Sequence, residues 1–569
     1  MNEIHFDAVI VGSGFGGAVM AYRLAEAGLQ VCLLERGRPY PPGSFPRSPY
    51  RMKDNFWDPS EGKYGLFSIW SFGSLNALVS SGLGGGSLIY SNVMIRKDEK
   101  WFVKEDLSNG GYEYWPITRA DLDPHYDHVE KMLNVQPYPF GQAPYDQTSR
   151  TKALKAAAQK LNLNWYLPNL AVTFGNEGEV PVPGVPIHEQ YPNIHGSNNA
   201  RSTCRLCSEC NIGCNFGSKN TLDYNYLSEA KRLGADIKTC CEVRSFEPHD
   251  SGYSISYVEH DLEREGQPTP TQDPAILPPK TILADRLILS AGVFGTSYLL
   301  LKNRAAFPHI SQRLGTHVSG NGDFLAFALK CSDSTNGTRV PRVIDPSHGP
   351  AITSTIRIPD AADGGGGRGF YIQDAGYPEF ANWMLQVFDI PGALGGVYHS
   401  AKRLIVDWLK GGKESDLSGV ISTLFGTCEL SAGLLPLDGM GRDIPNGRMK
   451  LKNNMLDIDW SPKASDPYYD RVRQTMIAIT SALGAEFVDE PLWYFNRVIT
   501  VHPLGGCPMG RNETEGVVNS YGEVFNYPHL YIADGSVMPG PVGANPSLTI
   551  AALADRFAEA IIENKGNNL

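Results

Sequence analysis

Gly12-Ser-Gly14-Phe-Gly16-Gly17 stands directly after the apolar run Ala8-Val9-Ile10-Val11 and opens the helical stretch Ala18 to Ala27. A second strand-like run, Gln30 to Glu35, follows that helix. Strand, glycine turn, helix and strand together read as one βαβ unit of a parallel sheet. In a G-x-G-x-x-G turn the first glycine permits the tight bend, the second lets backbone reach a pyrophosphate, and the third lets helix and strand pack closely. The helix N-terminus then faces the phosphate charge. Glu35, closing the second strand, is placed to accept hydrogen bonds from ribose hydroxyls, and it repels a 2′-phosphate. The unit predicts a dinucleotide site, and by itself suits FAD or NAD.

A chain of 569 residues exceeds one ordinary core and implies two large interleaved domains or three smaller ones. Its 42% hydrophobic and 20% charged residues are those of a globular protein, and its 60 glycines fit extended backbone contact with a large cofactor. A net charge of -11 argues against a nucleic-acid footprint. The first strand begins almost at once, leaving no room for a secretory leader, so a cytoplasmic location is expected. No segment reaches the roughly 20 apolar residues of a bilayer span, so membrane contact is expected to be peripheral at most.

From Pro39 to Asn76, Pro, Gly, Ser and aromatic residues predict an irregular excursion, followed by a second glycine cluster, Gly82-Leu-Gly84-Gly85-Gly86-Ser87. Helical spacing recurs at 119–134, 151–161 and 222–233, the last closed by Gly234. Residues 252–258 and 281–290 read as strands around a Pro-rich tip at 267–279. Residues 326–495 carry strand-like pieces and an apolar stretch from Phe380 to Leu409. Its Phe380, Trp383, Phe388, Tyr398 and Trp408 suit an apolar pocket, a peripheral membrane face or plain core packing. Tyr531-Ile-Ala-Asp534 reads as a strand and Ser547 to Ile562 as a helix.

Three blocks resemble the glucose-methanol-choline (GMC) oxidoreductases, and within them the cholesterol-oxidase-like branch: Gly82 to Ile89, Val501-His502-Pro-Leu-Gly-Gly506, and Tyr531 to Pro546. The resemblance implies FAD and an α/β fold. It implies a Rossmann-like FAD-binding domain (1–100, 201–325 and 496–569) interleaved with an α+β substrate-binding domain built on an antiparallel sheet (101–200 and 326–495). It implies ADP on the turn Gly12, Gly14, Phe15, Gly16 and Gly17 and on Glu35, and pyrophosphate and isoalloxazine contacts from Gly84, Gly85, Gly86 and Ser87. Val243 would present backbone to the adenine, Asp534 and Gly535 would touch the ribityl-pyrophosphate, and Asn545 and Pro546 would complete the flavin set. Cholesterol oxidases carry Asn-Gly-Gly shortly after the second glycine cluster. This chain has Tyr90-Ser91-Asn92-Val93, which makes Asn92 the implied flavin neighbour.

By the same resemblance His502 is the catalytic histidine and Asn545 its partner over the flavin. An imidazole with a pKa of about 6.5 can take the hydroxyl proton as hydride leaves a carbinol carbon for flavin N5. An amide can donate to the oxygen as it becomes carbonyl-like. Outside that context His502 also reads as a buried structural histidine, and Asn545 as a turn former before Pro546.

The ten cysteines of a reducing compartment point to thiols or metal ligands before disulfides. Cys204-x-x-Cys207-x-x-Cys210-x-x-x-Cys214 has bacterial ferredoxin spacing, which suits a [4Fe-4S] cluster passing electrons from the flavin to an outside acceptor. A tetrahedral zinc or plain packed thiols fit the same four residues. The expected function is oxidation of a hydrophobic, sterol-like secondary alcohol to a carbonyl, with reoxidation by oxygen or an external electron acceptor. A lyase or isomerase on the same flavin scaffold, without net redox turnover, is the alternative.

Overall fold

A computed structural model describes residues 4–266, 277–335, 337–379, 381 and 432–566. Its first sheet has seven strands, with His5–Val11 lying parallel between Val31–Leu34 and Lys280–Leu289. Ala8, Val9 and Ile10 are fully buried, as a strand covered on both faces requires, which is why this run is apolar without alternation. Asp236–Lys238 adds a parallel strand beyond Val31–Leu34. Lys280–Leu289 is long enough to serve two partners on one side. Its first half pairs antiparallel with Gly252–Glu259 and its second half pairs parallel with Leu530–Ile532. Cys241–His249 completes the antiparallel side.

The helix Phe15–Glu26 begins immediately after Gly14 and packs against the C-terminal helix Ser547–Gly566. Glycine is dictated at its first turn. A Cβ on Gly16 would lie 1.4 Å from the Ala533 carbonyl oxygen, and one on Gly17 2.0 Å from that of Gly12.

The second sheet runs Glu486–Asp489, Phe324–Leu329, Leu435–Gly441, Phe370–Ala375, Ile352–Ile358, Asn164–Tyr166, with every neighbour antiparallel. Leu435, Leu437, Phe370 and Ile372 enter one apolar core beneath the helices Ser149–Leu161 and Asp466–Ala482. Gln373 and Asp438, opposite one another in register, therefore fall on the other face.

The helices expected at 119–134 and 151–161 are Arg119–Met132 and Ser149–Leu161. The stretch 222–233 divides into a 3-10 turn, Leu222–Tyr224, and the helix Tyr226–Arg232, because Asn225 leaves helical backbone at φ -132°, ψ -90°. The irregular excursion expected at 39–76 needs correction. Phe67–Ser71 and Leu75–Ser80 form a hairpin, and Val498–Thr500 joins it as a parallel strand from the far end of the chain. Phe380, Trp383, Phe388, Tyr398 and Trp408 lie outside the described residues, as does 267–276 of the Pro-rich tip. Among the described residues no helix is long and apolar enough to cross a membrane.

Candidate active site

A cavity of about 620 Å³ gathers residues from both sheets. Gly12, Gly14, Phe15, Gly16 and Glu35 line it from the first βαβ unit, and Gly85 and Gly86 from the second glycine cluster. Val243, Asp534, Gly535, Asn545 and Pro546 complete the wall. A Cβ added to Gly14 or Gly86 would meet no protein atom within 4 Å, so a side chain at either would enter the cavity, whereas one on Gly85 would fall 2.6 Å from the Gly14 Cα. The two glycine loops thus touch, and beside them stands bare backbone at a helix N-terminus, the surface a pyrophosphate needs. Glu35 is fixed in that wall: Oε2 accepts from Ser13 N (3.0 Å) and Ser13 Oγ (2.6 Å), and Oε1 from Gly37 N (2.8 Å). Asp534 accepts from Ser536 N (2.9 Å), Ser536 Oγ (2.5 Å) and Thr296 Oγ1 (2.5 Å), while burial raises its pKa. This cradle of uncovered backbone and fixed carboxylates fits FAD.

Four residues named from the sequence do not line the cavity. Gly17 sits against Gly12, where the helix meets the strand. Gly84 holds a left-handed turn at φ +108°, with Ser87 Oγ donating to its carbonyl (2.7 Å) and accepting from Leu222 N (3.2 Å). Asn92 is fully buried at φ +69°, and its amide faces the Cys210 thiol.

His502 follows the strand Val498–Thr500 and lines the cavity. Its motif is explained by the next strand, Leu504–Gly506, which runs against Thr316–Ser319 so closely that a Cβ on Gly505 would lie 1.9 Å from the His317 carbonyl oxygen. Asp323 grips the whole corner. Its Oδ2 accepts from Thr500 Oγ1 (2.8 Å), Val501 N (2.9 Å) and His502 N (3.2 Å), and its Oδ1 stands 2.8 Å from His502 Nδ1. Placing the ring proton on Nδ1 satisfies that carboxylate and leaves the Nε2 lone pair for the cavity. Burial disfavours the imidazolium, but attraction and hydrogen bonding to Asp323, with help from Asp438, outweigh it and raise the His502 pKa above 6.5.

Asn545 also lines the cavity, and its Oδ1 accepts from Gln373 Nε2 at 2.8 Å. In return Asn545 Nδ2 donates one hydrogen to Gln373 Oε1 at 3.5 Å, and its second hydrogen remains to donate into the cavity. Asp438, beside Gln373 across the sheet, lines the cavity without a hydrogen-bond or ionic partner among the described residues. Burial and the neighbouring Asp323 push its pKa up to about 7, against the pull of His502. Asp323, Gln373 and Asp438 escaped the sequence reading. The alternation that puts Asp438 and Gln373 opposite the apolar core is the signal that could have found them.

Cys204, Cys207, Cys210 and Cys214 line one small cavity of about 20 Å³, together with Lys219. All four are free thiols, and burial pushes Cys207 up to about 12 and raises Cys204 and Cys210 as well. The described residues offer one trio of ligand atoms within 4.8 Å of one another, His125, His128 and Asp555, so no three of these sulfurs are that close. A tetrahedral zinc with bonds of about 2.3 Å needs a tighter set. Four cysteine sulfurs on one cavity are the ligand type of an iron–sulfur cluster.

Residues 468–554 match the GMC oxidoreductase family model and residues 10–43 the NAD(P)-binding Rossmann-like domain. A cholesterol oxidase of Mycobacterium tuberculosis is 30% identical over 99% of this chain and 92% of its own length. A cholesterol oxidase of Acinetobacter baumannii is 27% identical over 98% and 94%. The chain is a GMC oxidoreductase. The crystal structure of pyridoxine 4-oxidase from Mesorbium loti shares its fold, with a TM-score of 0.55 at 14% identity over 97% of this chain and 98% of that one.

Membership makes this GMC protein an FAD-dependent alcohol oxidase or dehydrogenase.

Proposed function

We propose that the protein oxidises a hydrophobic, sterol-like secondary alcohol to a carbonyl, with His502 as the proton acceptor and Asn545 as the donor to the oxygen. One observation carries this reading. His502 and Asn545, from separate segments, open onto the same cavity as the first glycine turn, and each is held from behind by a polar residue of the antiparallel sheet region. FAD, when bound, supplies the hydride acceptor. His502 Nε2 takes the hydroxyl proton while Asp323 keeps the Nδ1 proton in place and stabilises the imidazolium formed. Asn545 Nδ2 donates to the oxygen as its double bond develops. Trp70, Leu78, Val79, Phe294 and Leu456 give the cavity an apolar lining, and Met455 and Val501 carry it to the surface at 67% and 51% exposure. That rim suits entry of a poorly soluble alcohol and peripheral contact with a lipid surface.

Cys204, Cys207, Cys210 and Cys214 would hold an iron–sulfur cluster, which would supply a one-electron outlet and favour an external electron acceptor over oxygen. Asp438 favours a second reading. A cavity carboxyl titrating near 7 can move a C–H proton, as an isomerase requires. Mixing the flavin-loaded protein with a panel of sterols and long-chain alcohols, without oxygen, separates the two. Bleaching of the flavin supports oxidation, whereas substrate rearrangement with the flavin still oxidised supports the isomerase.

A further inference from the structure

Lys219 is 1% exposed, and its Nζ donates to three backbone carbonyls, those of Leu88 (3.1 Å), Tyr90 (2.8 Å) and Cys210 (2.9 Å). Among the described residues no carboxylate oxygen lies within 4.0 Å of it. A buried ammonium is costly unless an opposite charge accompanies it, and carbonyl dipoles offset only part of that cost. The ionisable groups turned toward Lys219 are the thiols of Cys210 and Cys214, with Asp223 after them. Asp223 is already engaged by His195 Nε2 at 2.6 Å. Lys97 is the internal contrast. It is equally buried on the carbonyls of Pro541 and Val542, but it faces the carboxylates of Glu113, Asp98 and Asp360.

The partners of Lys219 seat it in a dividing wall. Leu88 and Tyr90 belong to the segment that brings Gly86, Ile89 and Tyr90 onto the cofactor cavity, and Cys210 belongs to the thiol loop. The Tyr90 ring centroid is 4.7 Å from Nζ. We infer that Lys219 is the counter-cation of an anionic metal–sulfur centre held by Cys204, Cys207, Cys210 and Cys214, set in the partition between that centre and the flavin cavity. The inference rests on the iron–sulfur reading of the four cysteines given above. Thiolates and the centre they bind bring negative charge into a dry site, and a fixed cation beside it favours the state holding one more electron.

Two variants separate charge from packing: Lys219→Gln keeps hydrogen-bond donors without the charge, and Lys219→Arg keeps the charge. Flavin, iron and sulfide per chain are assayed on anaerobically purified full-length protein, and the midpoint potential of the metal centre is followed by EPR during a redox titration. Lys219→Gln is expected to keep its flavin and iron with a midpoint below that of the wild type, and Lys219→Arg to stay close to the wild type. Iron lost from the Gln variant but kept in the Arg variant also supports the charge. An unmoved midpoint in iron-loaded Lys219→Gln, or equal loss of iron from both variants, overturns the role of Lys219 alone. Wild-type protein with full flavin but no iron or sulfide overturns the cysteine reading and the Lys219 inference together.

Discussion

At the scale of single residues, the proposed chemistry depends on what stands behind His502. The base must be neutral to accept a proton, so kcat/KM should rise with pH through the raised His502 pKa. Asp323→Asn removes the charge that favours the imidazolium, so the pKa falls and the acid limb of kcat/KM moves to lower pH. The same change frees the ring to adopt the wrong tautomer, with an expected loss of about 10²- to 10⁴-fold in kcat/KM at its optimum. A pH–rate profile checks both, and a limb that stays in place would show that Asp323 does not control the base. The place of His502 on the cavity was legible because Pro-Leu-Gly-Gly follows it, and a close strand pairing requires glycine at Gly505. Asp323 was not legible, since it lies in a distant turn and nothing in its own neighbourhood announces a histidine partner.

At the scale of elements, the glycine turn separates two requirements that the motif merges. Gly16→Ala drives a Cβ into the Ala533 carbonyl and should cost about 1–3 kcal/mol or more of stability, seen as a lowered Tm with or without flavin. Gly14→Ala meets no protein atom, so the apoprotein should melt as the wild type does while its flavin content falls sharply. Thermal melts of both apoproteins with flavin assays check the contrast, and an intact flavin content in Gly14→Ala would remove that wall from the cofactor site. The βαβ unit was legible because strand, turn and helix are contiguous. The hairpin Phe67–Ser71 and Leu75–Ser80 was not. Its third strand comes from 498–500, and local composition there is that of a loop. Helix 222–233 was overdrawn because its apolar spacing continues across Asn225, whose side chain caps Tyr226 N instead of continuing the turn.

At the scale of the whole molecule, the first sheet carries the glycine turn at the cavity, while the second sheet and the turn leading into it carry Gln373 and Asp323, which stand behind Asn545 and His502. The first sheet collects strands from the two ends and the middle of the chain, and it was expected from one fingerprint and the blocks that accompany it. The second was expected only through family resemblance, because 326–495 lacks a contiguous motif and its strands alternate around single polar residues such as Gln373 and Asp438. The four-cysteine loop stands against the same partition as the large cavity, with the Leu88–Tyr90 segment and Lys219 between them. The most direct test is the rate of anaerobic flavin reduction by an alcohol substrate in the wild type and in His502→Ala, each loaded with FAD. Bleaching in the wild type, slowed about 10²- to 10⁴-fold in the variant with flavin content unchanged, is the expected result. Equal rates in the two proteins, or no bleaching by any alcohol, would contradict alcohol oxidation at this site.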